Sequence, residues 1–194
     1  MREGIAQRKF FHYGLWRTTY VNHNKLQKFL HNPEVSRFDA FLRDVVLSDK
    51  MPNEYFETGR RVTSLQIEKR VGVITESPSR YKKIIQTALA ERRGRGRHYI
   101  VLKSLVENPS ANIVICEMPV WSKDGDIVGH IDAIEVKNET PHIIIWDYKP
   151  RASKTNAYTQ VSMYKELFCD LLGISHENVG IGWFDEDVEC IARR

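Results

Sequence analysis

The stretch IIIWDYKP, residues 143–150, decides the fold. Three isoleucines and a tryptophan in a row read as the inside of a sheet. This strand ends on an acid and a base two positions apart, Asp147 and Lys149. Side chains at i and i+2 leave a strand on the same face, so the two should stand side by side with Tyr148 pointing the other way. A charged pair at the end of an apolar strand is either a structural ion pair or the floor of an active site.

Working outward, the second half of the chain reads as a meander. NIVICEMPVW (112–121) is strand-like, Asp124-Gly125 is a hairpin signal, GHIDAIEV (129–136) is the return strand, and NETPH turns into IIIWDYK. TNAYTQVSMYKELFCDLLG (155–173) predicts an amphipathic helix with Ala157, Val161, Tyr164, Phe168 and Leu171 on one face and Gly173 as its stop. NVGIGWF and DVECIA supply two closing strands. The first half reads helical. Candidate helices cover 20–33, 36–47, 59–71, 79–93 and 97–108, the fourth stopped by Gly94 and Gly96. The expected architecture is α/β, a central mixed sheet with an antiparallel meander flanked by helices. It would form a single domain over 1–194, with a helical N-terminal region (1–54) and a core (55–194).

Asp132 ends GHID, one strand before Asp147, so both acids can reach the same end of the sheet. Glu117 on the first strand makes up to three carboxylates near one lysine. Crowded carboxylates are costly unless something positive lies between them. A hard divalent ion, Mg²⁺ or Mn²⁺, suits oxygen ligands and keeps open water positions. Such a metal can activate water and neutralise a phosphate, and Lys149 can assist the same chemistry.

GHID (129–132), WDYK (146–149) and QVSMY (160–164) together resemble the three motifs of RecB-type nucleases of the PD-(D/E)XK superfamily, with a restriction-endonuclease-like core. The resemblance covers roughly residues 55–175. It implies a metal-dependent DNA nuclease, an exonuclease or end-processing enzyme, with a structure-specific or restriction-type endonuclease as the alternative. It implies metal ligation by Asp132, Asp147 and the carbonyl of Tyr148, with Glu117 as a further candidate, and catalysis by Lys149 with Gln160 and Tyr164 on the flanking helix. Many members carry an upstream histidine in a G-x-x-x-H pattern. Aligned on Gly59, that position falls on Thr63, which leaves a decayed DNA-binding module as a third reading. The four-cysteine iron–sulfur cluster of some members has no counterpart among Cys116, Cys169 and Cys190.

The remaining signals bound the partner. A net charge of +4 and a pI near 8.9 permit a polyanion such as DNA. Arg93, Arg95 and Arg97, in ERRGRGRH, and Arg151, just beyond Lys149, are candidate phosphate contacts, with a solvated charged loop as the bland alternative. Phe10, Phe11, Tyr13 and Trp16 are either core or base-stacking aromatics. No apolar run is long enough for a membrane span, no secretory h-region follows Met1, and the sparse cysteines read as reduced thiols, so the expectation is a cytoplasmic protein without a membrane partner.

Overall fold

The computed structural model describes residues 4–12, 14–65, 68–70, 72–91 and 96–193. The chain begins with a β-hairpin, β1 (Ile5–His12) and β2 (Leu15–Asn22), then a short helix α1 (His23–Leu26). Helix α2 (Pro33–Phe41) starts three residues before the expected 36–47: Asn32 accepts from the backbone N–H groups of Glu34 and Val35, and Pro33 occupies the first turn rather than ending a helix. It runs on into a wider π turn at Leu42–Val46. After α3 (Tyr55–Thr58), β3 (Arg60–Arg61) and β4 (Val73–Pro78) come α4 (Lys82–Glu91) and α5 (Arg97–Glu107). The meander β5 (Ile113–Trp121), β6 (Ile127–Val136) and β7 (Ile143–Tyr148) follows. Helix α6 (Tyr158–Leu172) then leads to β8 (Val179–Phe184) and β9 (Val188–Arg193).

All nine described strands join one mixed sheet in the order β1-β2-β5-β6-β7-β8-β9-β4, with β3 alongside β6. The β7–β8 pair is parallel because α6 carries the chain back across the sheet, whereas the meander pairs are antiparallel. One face packs on α2 and α6 through Phe38, Ile145, Val161 and Phe168. The other packs on α4 and α5 through Ile85, Leu102, Leu105 and Trp146. Strands covered on both faces read as unbroken apolar runs, which is why IIIW and NIVIC were legible.

The expected helical N-terminal region is corrected. Residues 5–12 and 15–22 pair as β1 and β2, and the expected helix 20–33 starts with strand residues Tyr20 and Val21, paired with Cys116 and Ile115. A partner far along the chain overrode local periodicity. The expected helix 59–71 is also corrected: Arg60 and Arg61 pair with Ile127 and Val128, and Val62–Ser64 is a single 3₁₀ turn. Strand β4 gave no signal because it is mostly exposed, yet it pairs with β9 along its length.

Candidate metal centre

The candidate site forms where β6 and β7 part. Their ladder ends at Ala133–Trp146. Beyond it, the Tyr148 N–H donates to the Asp132 carboxylate at 2.8 Å instead of to a backbone carbonyl. Parting strands free backbone groups, and here a charged side chain satisfies one of them. The Tyr148 ring packs on the α4–α5 face, as the alternation requires.

Asp147 and Lys149 do stand side by side: Lys149 Nζ lies 2.9 Å from Asp147 Oδ2. Asp147, Asp132 and Glu117 are all buried. Glu117 sits at φ +52°, a left-handed conformation that a glutamate adopts only under constraint and that costs on the order of 1–3 kcal/mol. Thr19 fixes it by donating to the Glu117 carbonyl at 2.7 Å, and Arg17 Nη1 reaches its carboxylate at 3.0 Å.

His98, at the first turn of α5, completes the cluster. Its Nε2 lies 3.2 Å from Asp132 Oδ2. One ligand atom each from His98, Glu117 and Asp132 falls within 4.8 Å of the others. The sequence reading missed His98, although its signal was present: Gly94 to His98 is itself a G-x-x-x-H. Thr63, where that histidine was sought, lines the rim of the same cleft.

The flanking helix closes the arrangement. Gln160 Nε2 donates to Tyr164 Oη at 3.1 Å and lies 3.5 Å from Asp147 Oδ1. The Tyr164 ring presses on Gly129, where a Cβ would meet it at 2.7 Å. The glycine of GHID and the tyrosine of QVSMY are therefore one packing contact. Behind Lys149, its N–H donates to Phe184 O at 2.9 Å, and Asp185 accepts from the Ala152 N–H at 2.7 Å, which fixes the loop carrying Arg151.

Electrostatics divide the acids. Burial pushes all three carboxyl groups up. At Asp132 the neighbouring His98 overrides burial and holds the carboxyl well below its usual range. Burial, then Asp132, pushes Asp147 up to about 8 despite Lys149. Glu117 is raised by the same two causes, against Arg17. Burial would lower His98, but Asp132 raises it. The wall behind Glu117 is a pair of neutral histidines, His12 and His130, with Nδ1 atoms 3.2 Å apart. Burial depresses them to about 4 and about 3.

The cleft over these groups has a volume of about 200 Å³ and is also lined by Arg17, Arg61 and Gln160. Imidazole and carboxylate donors together around an open cleft form a donor set that can hold a divalent metal ion. Among the expected phosphate contacts, Arg97 is exposed at the start of α5 and Arg151 is exposed at φ +64°. Arg93 and Arg95 lie outside the described residues. No helix among the described residues is long and apolar enough to cross a membrane. No protein family, curated protein or solved structure matches the chain.

Proposed function

We propose that the protein is a divalent-metal-dependent DNA nuclease of the RecB type, hydrolysing phosphodiester bonds as an exonuclease or end-processing enzyme. The observation that carries the reading is the convergence of His98, Glu117 and Asp132 beside the Asp147–Lys149 pair at the parting of two strands. A structural ion pair needs one acid and one base. Three buried carboxylates with a strained glutamate are expensive for stability and useful for holding a cation.

Asp132, Glu117 and His98 would hold the ion, with Asp147 completing the shell. Bound there, Mg²⁺ or Mn²⁺ supplies positive charge to the phosphate and lowers the pKa of water. The Tyr148 N–H aims Asp132, and Gln160 aims Asp147. Lys149, beside the carboxylates, is placed to stabilise charge that develops on the phosphate oxygens or to hold the attacking water by donating a hydrogen bond to it. Arg17 and Arg61 give the cleft a cationic rim toward the DNA backbone.

The test is cleavage of labelled linear and closed-circular DNA with Mg²⁺, Mn²⁺ or EDTA. Asp132→Ala, Asp147→Ala and Lys149→Ala should each abolish turnover while far-ultraviolet circular dichroism stays unchanged. Near-normal turnover in any one of them refutes the reading. Cutting of circular DNA would move the proposal to an endonuclease on the same site.

A further inference from the structure

Among the described residues, the start of β2 carries two large apolar side chains that face solvent. Leu15 is 60% and Trp16 72% exposed, while the other three tryptophans, Trp121, Trp146 and Trp183, are buried. Phe10, paired with Arg17 across the hairpin, is core. The Phe11 ring props the Trp16 indole edge-on at 5.4 Å between centroids. Phe11–Trp16 and Lys9–Thr18 are register pairs two positions apart, so the exposed Lys9 shares the indole's face.

This tip is tied to the candidate metal centre. Arg17, the residue after Trp16, reaches the Glu117 carboxylate, and His12, at the other foot of the turn, meets His130. Both Arg17 and His12 line the cleft. Side chains alternate along β2, so the indole leaves the same hairpin end on the face opposite the Arg17 side chain that lines the cleft. A strand that leaves the cleft and passes over the hairpin end meets an exposed aromatic face with a lysine beside it.

We propose that the hairpin tip is a stacking site for an unpaired nucleobase, with Trp16 as the platform, and that the substrate is therefore single-stranded DNA or a frayed end. The proposal rests on the nuclease reading of the neighbouring site. In an intact duplex the base faces are already stacked on one another, so only an unpaired or terminal base offers a free π-face. The cationic neighbour on the indole face, Lys9, suits the phosphates that flank such a base.

Because Trp16 is the exposed tryptophan, its emission reports the contact directly. In EDTA, where no cleavage occurs, oligo(dT) should quench the fluorescence, whereas a duplex with covalently closed ends should leave it nearly unchanged. Trp16→Ala should abolish the quench and weaken oligo(dT) binding by roughly 5- to 100-fold, the range for one stacked base. Trp16→Phe should keep most of the affinity, since a benzene ring still stacks. Oligo(dT) that binds wild type without quenching, or binds Trp16→Ala equally well, overturns the stacking site. Cleavage by Trp16→Ala with Mg²⁺ would show that the nuclease reading survives that failure. If sedimentation instead reveals self-association abolished by Trp16→Ala, with no quench by oligo(dT), the tip is a self-docking surface and the proposal falls.

Discussion

Asp132 and Asp147 stand on neighbouring strands and divide one charge between them. Asp132 keeps it, held by His98, and Asp147 takes the proton, with its folded value raised from 3.8 to about 8. Asp147 therefore holds a proton in the folded, metal-free protein that it lacks in the unfolded chain between roughly pH 4 and 8. The stability that the protonated Asp147 contributes is fully present below that window and is lost as pH rises through it. A divalent ion needs the ionised carboxylate, so its uptake should expel a proton, and Mn²⁺ affinity should climb with pH up to about 8. Calorimetry in buffers of different ionisation enthalpy counts that proton, and a pH-independent affinity would mean that Asp147 is already ionised. At the same scale, His98→Ala should weaken Mn²⁺ binding by about 100-fold or more, since losing a ligand costs at least what losing an outer-shell partner does. Thr63→Ala should leave binding unchanged by the same titration.

At the scale of elements, α5 links the site to the body of the protein. Its N-terminus carries His98, and its C-terminus is anchored by the buried Lys25, whose Nζ donates to the carbonyls of Leu105 and Ile113 at 3.0 Å each. A cation at the end of a helix complements its dipole. Burial, then Lys28, lowers Lys25 from 10.5 to about 8. The unfolded chain binds more protons between those values, so wild type should gain stability relative to Lys25→Met as pH rises from 8 to about 10.5. Denaturant midpoints measured across that range check the sign; parallel curves would mean that the lysine keeps an ordinary affinity for protons. Ahead of α5 runs the arginine stretch. Replacing Arg93, Arg95 and Arg97 together should flatten the slope of log affinity against log salt by about 0.7–0.9 for each arginine that neutralises a phosphate. An unchanged slope would assign the stretch to a solvated loop.

Over the whole molecule, the side of the sheet under α4 and α5 is held by a polar network separate from the candidate site. Arg80 bridges two buried carboxylates, Glu135 at 3.0 Å and Glu189 at 3.0 Å, while Trp146 Nε1 donates to Glu135 at 2.9 Å. The network ties the β6–β7 meander to β9. Arg80→Ala strands both acids and should cost about 3 kcal/mol, the low end for a broken buried pair because the guanidinium still reaches solvent. Chemical denaturation measures the loss. Cleavage per folded molecule should not change, since the network touches none of the cleft residues.

The sequence by itself determined the meander, α6 and the order of the three motifs. Those elements are covered on both faces or amphipathic, so their burial is written in the local period of apolar residues. It also placed Asp147 beside Lys149, because the pleat of a single strand puts i and i+2 on one face. The tertiary structure alone decided the rest. The β1–β2 hairpin and β4 are strands only because β5 and β9 offer them edges, and an edge strand facing water carries no apolar period. His98 joins Asp132 and Glu117 through the packing of α5 on the sheet, and nothing local to any of the three encodes that meeting, even though the G-x-x-x-H spacing was there to be read. The proton on Asp147 follows from its burial, and Trp16 differs from Phe10 only in what covers it. Local covalent geometry is fixed residue by residue, whereas burial and convergence are properties of the assembled chain.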